Sequence, residues 1–187
     1  MKKTVLLSAL CMSIFLLPAC NNENATNKEA KEENKEKFED TDVKRDAEFS
    51  AKAAAGGMME VELGKIALAN GMSQSVKDFG QTMVTDHSAA NEELKSAAAA
   101  KNISLPAAPD ADMQKKIDDL RQKKGADFDK DYMDMMVKDH KDDIDLFQKE
   151  ADKGNDPELK AWAASKLSTL QHHLQMCEQI QDQLKKN

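Results

Sequence analysis

Four long segments of the chain carry apolar residues at helical spacing, and short breaks rich in glycine, proline and asparagine separate them. Glycine and proline disfavour the interior of a helix, so such breaks mark helix ends. The first break contains Gly71 and Ser73, and the last is the Gly-Asn-Asp-Pro run at 154–157. We therefore predict long helices near 47–70, 74–101, 126–153 and 157–185, with a shorter helix near 110–123.

The predicted helices must pack against one another, because each long segment has only one apolar stripe. Aromatic residues make up only 4% of the chain, which disfavours a β-sandwich or barrel. The first and third breaks between long helices are too short for anything but antiparallel neighbours. The longer segment 102–125 can run back along the bundle. The expected fold is all-α, a ferritin-like four-helix bundle whose long crossover carries a short extra helix.

The first twenty residues have the pattern of a secretion signal. Lys2 and Lys3 precede the apolar stretch Val5–Leu17, and the segment ends at Cys20 after Leu-Pro-Ala. The stretch is shorter than the roughly 20 apolar residues that cross a bilayer. A small residue before cysteine resembles the lipobox of bacterial lipoproteins, so we expect 1–20 to be a lipoprotein signal peptide and Cys20 to be lipidated. Ordinary cleavage and an uncleaved anchor are the alternatives.

Lipidation would attach the protein to a membrane of the bacterial cell envelope. Asn21, in place of aspartate after the lipidated cysteine, favours the outer membrane, facing either the periplasm or the cell surface. Residues 21–46 are dominated by Asn, Lys and Glu, a composition that buries little apolar surface. We predict that 21–46 is a disordered charged tether and that 47–187 is the helical domain.

Charge and cysteine content narrow the functions further. The formal net charge is −7, with basic residues interspersed among acidic ones, which excludes a general nucleic-acid binder. The acidic helix faces could instead meet an envelope protein partner. Loss of Cys11 with the signal and lipidation of Cys20 would leave Cys177 alone, so no intramolecular disulfide is expected.

One pentapeptide pattern, Met-Val-x-Asp-His, occurs in the second and again in the third long segment, ending at His87 and at His140. Both histidines lie near mid-helix on the apolar stripe, so parallel helices would place them at one level. Counting back through the adjoining turns places Glu60 of the first helix and His173 of the fourth within one turn of that level. We predict that these four side chains share one layer of the bundle.

Imidazole and carboxylate groups inside an apolar bundle are typical of a metal site. The predicted ligands are Glu60, His87, His140 and His173, and Zn, Fe and Cu all remain candidates, Cu(I) because Met and Cys sulfur lies one turn away. In the alternative interpretation the histidines are core residues hydrogen-bonded to Glu60. The aspartates that precede His87 and His140 point away from the imidazoles, towards solvent or a neighbouring helix.

The ordered series of motifs resembles the bacterial envelope family called domain of unknown function 4142. The segments that carry the resemblance are Gly57–Lys65, Val76–Gln81, Met83–His87, Ile103–Pro106 and Tyr132–His140. The resemblance implies a ferritin-like fold and an exported protein, but no established activity. Di-iron relatives of ferritin carry Glu-x-x-His, whereas Val84, Val137 and Leu170 stand three residues before the histidines here.

Three functional hypotheses follow. The first is a lipid-anchored envelope module that binds a metal ion or small ligand through the His/Glu cluster. The alternative is a non-catalytic structural or stress-related lipoprotein that acts through protein partners. A redox enzyme with a di-metal centre is the third, and the missing Glu-x-x-His motifs argue against it.

Overall fold

The computed structural model describes residues 23–39 and 41–186, with side chains from residue 27 onward. All named elements in these ranges are helices, which confirms the all-α prediction. The helices are α1 Glu23–Phe38, α2 Lys44–Asn70, α3 Gln74–Ala100, α4 Ala111–Arg121, α5 Gly125–Lys153 and α6 Pro157–Leu184. None of them is long and apolar enough to cross a bilayer. The predicted signal peptide and Cys20 lie outside the described residues.

The helix ends follow the local sequence signals. The Asp110 carboxylate accepts a hydrogen bond from the Met113 amide at 2.9 Å, which caps the start of α4. Asp156 accepts from the amides of residues 158 and 159 at 3.0 and 2.9 Å, and Pro157 occupies the first turn of α6. Side-chain acceptors at this position satisfy amides that have no partner within the helix. Gly125 begins α5 with a φ of +63°, a value that favours glycine.

The long helices form two antiparallel hairpins that pack together. Helix α2 packs along α3 and α5 packs along α6, while α2–α5 and α3–α6 contacts join the two hairpins. The short helix α4 lies against α2 and α5. The segment between α3 and α5 therefore contacts both hairpins through α4.

Each hairpin holds the turn of the other through one aspartate. Asp129 in α5 accepts hydrogen bonds from the amides of Met72 and Ser73 at 2.9 and 2.7 Å. Asp46 in α2 accepts from the amides of Asn155 and Asp156 at 2.8 and 3.0 Å. These contacts place the starts of α3 and α5 at one end of the molecule and those of α2 and α6 at the other. Helices α3 and α5 therefore run in the same direction.

Glycine permits the close approach of α2 to α3. A Cβ added at Gly64 would lie 2.6 Å from the carbonyl oxygen of Gly80, and one added at Gly80 would lie 2.7 Å from the Cβ of Ala67. Both distances are shorter than real Cβ contacts allow. The two helices could not pack at this distance with larger residues at the crossing.

Helix α1 corrects the prediction that 21–46 is a disordered tether. Residues 23–38 are helical and contact α2, and the Asn34 side chain is buried. It donates to the carbonyl of Ser104 at 2.7 Å and accepts from the Ser104 amide at 2.8 Å. Asn27 donates to the carbonyl of Ala108 at 2.6 Å. The composition misled because α1 depends on polar contacts with the crossover loop as well as on apolar burial.

Candidate metal centre

A polar layer separates two apolar clusters in the interior. One cluster contains Phe79, Tyr132 and Met136, and the other contains Phe49, Leu94 and Phe147. On α3, α5 and α6 the histidine of the polar layer lies between the stretches that build these two clusters, and on α2 Glu60 lies at the start of the stretch that joins the Phe79 cluster. The layer consists of Glu60, His87, His140 and His173, whose exposed fractions are 2%, 7%, 0% and 1%. All four side chains predicted to share a level are therefore brought together.

The three imidazoles converge. Their ring centroids are 5.4 to 5.9 Å apart in all three pairs. One ligand nitrogen from each ring lies within 4.8 Å of the corresponding nitrogens of the other two. At these distances the three buried histidines could hold a metal ion.

Each ring has one nitrogen with a polar neighbour. Nδ1 of His87 lies 2.9 Å from Oε2 of Glu60. Nδ1 of His140 lies 3.0 Å from the carbonyl oxygen of Met136, and Nε2 of His173 lies 2.9 Å from Oδ2 of Asp86. The neighbours are two carboxylates and one carbonyl, all of which accept hydrogen bonds from a ring N–H.

The other nitrogen of each ring has no partner among the described residues. These atoms are Nε2 of His87, Nε2 of His140 and Nδ1 of His173, and all three are buried. Buried polar atoms in folded proteins are almost always hydrogen-bonded. With Oε1 of Glu60, the layer has four such exceptions, and the three on imidazoles require an explanation first.

Burial sets the charge state of the layer. It lowers the pKa of all three histidines below the usual value, because a buried cation loses its hydration. Burial also raises the pKa of Glu60 to about 7, although the nearby His140 pulls this pKa down. At neutral pH the imidazoles are therefore uncharged, which is the form that binds metal ions.

The aspartates of the repeated motif both meet neighbouring helices, one of the two outcomes expected. Asp86 reaches α6 through His173. Asp139 is buried, with 8% of its surface exposed, and lies 3.4 Å from Nζ of Lys116 in α4. In the α3 copy of the motif, the aspartate orients a histidine of α6. In the α5 copy, the aspartate contacts a lysine of the short helix α4.

Sequence reasoning missed Asp143, which lies in α5 one turn beyond His140. It lines a pocket next to the polar layer, together with Glu60 and His87. Burial raises the pKa of Asp143 well above its usual range, and the charge of Glu60 raises it further. The spacing of three residues from His140 was the available signal, but Asp143 follows Lys141 and Asp142 in a charged run that reads as a solvated face.

Sulfur near the layer is buried. Cys177 has no exposed surface, and neither do Met83 and Met136. Burial raises the pKa of the Cys177 thiol, so a thiolate nucleophile is disfavoured here. Cys177 is best described as a small apolar residue of the cluster around Phe79.

A comparison with protein families identifies the domain. The family model described as "Domain of unknown function (DUF4142)" matches residues 27–180, most of the chain. The chain belongs to the DUF4142 family. The matched DUF4142 region begins within α1 and includes every residue of the polar layer. Neither a curated protein nor a solved structure shows a significant match to the chain. For this DUF4142 chain, functional inference therefore depends on the site itself.

Proposed function

We propose that the protein is a metal-binding module of the cell envelope that holds one transition-metal ion between His87, His140 and His173. The observation that carries the proposal is the convergence of three buried imidazoles, one nitrogen of each lying within 4.8 Å of one nitrogen of the other two. Each ring also has one buried nitrogen without a hydrogen-bond partner among the described residues, and a shared metal ion would give all three rings a partner at once. An isolated core histidine needs only one or two hydrogen bonds and gives no reason for three to meet.

The neighbours of the rings support this assignment, because they fix which nitrogen carries the proton. Carboxylate and carbonyl oxygens lie next to Nδ1 of His87, Nδ1 of His140 and Nε2 of His173. These oxygens accept hydrogen bonds, so the proton of each neutral ring is on that side. The lone pair of each ring is then on its other nitrogen, the one without a partner among the described residues. Metal-ligating histidines in proteins are oriented in the same way by carboxylates and carbonyls.

The distances allow an ion after a small adjustment. One nitrogen from each ring lies at most 4.8 Å from one nitrogen of each other ring. If all three distances have this value, the centre of the triangle of nitrogens is about 2.8 Å from each of them. Zinc–nitrogen bonds are about 2.0–2.1 Å. Closing the rings by less than about 1 Å each would complete the coordination. Neutral imidazole suits Zn, Cu and Fe, and we propose Zn²⁺ as the first probe.

Glu60 takes a different role in this proposal from the one predicted from sequence. Its Oε2 lies 2.9 Å from Nδ1 of His87, on the side of the ring away from the free nitrogen. We therefore assign Glu60 to orient His87 rather than to bind the same ion. Asp86 orients His173 in the same manner.

The parallel course of α3 and α5 supports a ferritin-like four-helix bundle with one long crossover. Three residues before the histidines, however, stand Val84, Val137 and Leu170, where a di-iron oxidase would carry glutamate. We therefore propose binding rather than oxygen chemistry.

Residues 1–20 support an envelope location, since their pattern is that of a lipoprotein signal. We propose that Cys20 is lipidated and anchors the protein to the outer membrane. Metabolic labelling with a radioactive fatty acid should mark the wild-type protein and not a Cys20→Ser variant. Equal labelling of both proteins would refute the anchor at this residue.

The test of the metal site compares two adjacent histidines of α6. His173 is buried in the layer and His172 is exposed. In protein purified without a histidine tag, titration calorimetry should give one Zn²⁺ per chain for wild type and His172→Ala, and none for His173→Ala. Zinc at a hundredfold excess over its Kd should stabilise the first two by about 2.7 kcal/mol.

The scaffold hypothesis predicts another result. If the histidines only order the core, His173→Ala will lose thermal stability to the same extent whether or not Zn²⁺, Cu²⁺ or Fe²⁺ is added. Wild type would then bind no metal at all. That outcome would refute the proposed function and favour the structural lipoprotein.

A further inference from the structure

A pocket of about 250 Å³ opens beside the polar layer, and all four long helices contribute to it. Glu60, His87 and His173 line its inner part, and Asp143 and Asn91 also face it. The metal proposed above uses only the imidazoles. The oxygen atoms of the pocket therefore remain to be explained.

Oε1 of Glu60 is the most constrained of these oxygens. It has no hydrogen-bond partner among the described residues although it is fully buried. The nearest ring nitrogen, Nδ1 of His140, is 3.6 Å away and already lies 3.0 Å from the carbonyl oxygen of Met136. A buried carboxylate oxygen without a donor is costly.

Asp143 is a second carboxylate without a compensating group. Within 23–39 and 41–186 it makes neither a hydrogen bond nor an ion pair. Its Oδ1 lies 3.9 Å from the position that a Cβ of Gly56 would occupy. Asp143 therefore faces α2 about one turn from Glu60.

Asn91 adds a neutral oxygen at the same height. Its Oδ1 would be only 2.2 Å from a Cβ at Gly57, so the side chain fills space that exists because residue 57 is glycine. Two adjacent glycines inside a helix each destabilise it by about 1 kcal/mol relative to alanine. Gly57 makes room for the Asn91 side chain one turn from Glu60, and Gly56 lies beside the Asp143 carboxylate.

The lysine of this pocket does not neutralise these groups. Lys166 forms an ion pair with Glu93, and its Nζ lies 5.8 Å from the centre of the Trp162 ring. Within the described residues, Oε1 of Glu60 therefore has no hydrogen-bond donor and the Asp143 carboxylate has no paired cation.

We propose that this pocket is a second cation site, formed by Glu60, Asp143 and the side-chain oxygen of Asn91. Carboxylate and amide oxygens are ligands for hard divalent cations such as Mn²⁺, Mg²⁺ and Ca²⁺. The imidazole site takes the softer transition metals. The second site goes beyond the function proposed above and does not require it, although Glu60 contacts both.

The experiment uses Mn²⁺ as the probe and the full chain with Zn²⁺ already bound. Free Mn²⁺ gives a six-line electron paramagnetic resonance spectrum that weakens when the ion is bound. Zn²⁺ binds nitrogen sites more tightly than Mn²⁺, so Mn²⁺ should report only the oxygen site. We expect one Mn²⁺ per chain in wild type, and an affinity at least tenfold lower in Asp143→Asn.

Asp142→Asn is the matched control, because Asp142 is exposed and pairs with Lys138 instead of facing the pocket. It should bind Mn²⁺ like wild type. Absence of Mn²⁺ binding in wild type, or equal affinities in the two variants, would overturn the proposal.

Zn²⁺ stoichiometry separates this result from a failure of the imidazole site. If Asp143→Asn keeps one Zn²⁺, it is folded and its loss of Mn²⁺ is specific. If it loses both ions, Asn91→Ala decides: retained Zn²⁺ with weakened Mn²⁺ supports the second site, and unchanged Mn²⁺ affinity refutes it. If wild type binds no Zn²⁺ but still binds Mn²⁺, only the imidazole proposal fails.

Discussion

Substitution of Gly64, where α2 contacts α3, should destabilise the protein. A Cβ at Gly64 would lie 2.6 Å from the carbonyl oxygen of Gly80, 3.0 Å from Cγ2 of Val84 and 3.3 Å from Cβ of Met83. An ordinary contact begins at 3.4 Å, so in Gly64→Ala the helices must separate by about 0.8 Å. The first obstacle is a backbone atom, which cannot rotate away.

The magnitude follows from two opposing terms. Overpacking of this kind typically destabilises by about 1–3 kcal/mol, and an unrelieved backbone clash belongs at the upper end. Alanine in place of glycine returns about 1 kcal/mol through helix propensity. We therefore expect Gly64→Ala to lower the free energy of unfolding by about 2 kcal/mol, or the Tm by about 4–8 °C.

Gly56→Ala is the matched control in the same helix. Its added Cβ would meet only Oδ1 of Asp143 at 3.9 Å, an ordinary contact. This variant should gain about 0.5–1 kcal/mol from helix propensity. Urea and thermal denaturation followed by circular dichroism measure both changes. If Gly64→Ala is as stable as Gly56→Ala, the close approach of α2 and α3 is wrong.

Two further predictions concern ionisable groups. Glu150 is 2% exposed. Burial and, to a smaller extent, a hydrogen bond with Asp46 raise its pKa from 4.5 to about 8. The proton bound to Glu150 therefore stabilises the folded protein fully below pH 4.5, and this stabilisation is lost as the pH rises through about 8. Urea titrations should show wild type losing on the order of 2 kcal/mol more than Glu150→Gln between pH 5 and pH 8.5, after allowance for solvent screening, and parallel pH profiles would contradict this. Cys177 has no exposed surface, and burial raises the pKa of its thiol. A thiol reagent should therefore modify Cys177 at least about a hundredfold more slowly in native than in unfolded protein, as measured by peptide mapping. Comparable rates would show that the thiol is accessible.

The sequence predicted the helices well because their ends have local causes. Gly125 adopts a φ of +63°, which favours glycine, and Pro157 stands in the first turn of α6, where its missing N–H is tolerated. Helix α1 was not predicted, because Asn34 orders it through the backbone of Ser104. A contact between residues so distant in the chain leaves no periodic signal.

The level of the polar layer was also predictable, since counting along antiparallel helices is a matter of rise per residue. Counting placed Glu60, His87, His140 and His173 together. It could not say which ring nitrogen each neighbour would occupy, because that depends on side-chain rotamers. Asp143 was missed because it lies in a charged run, and only the packing of α5 against α2 shows that it faces Gly56.

The exchange of turn contacts between Asp46 and Asp129 has a consequence for how the chain acquires its structure. Neither hairpin contains the carboxylate that satisfies the amides of its own turn. Each could collapse locally, but until the other hairpin docks, the amides of its turn would bond to water instead of to an aspartate. We therefore expect the two halves to gain native order cooperatively as one folding unit, so damage to either turn should be transmitted to both.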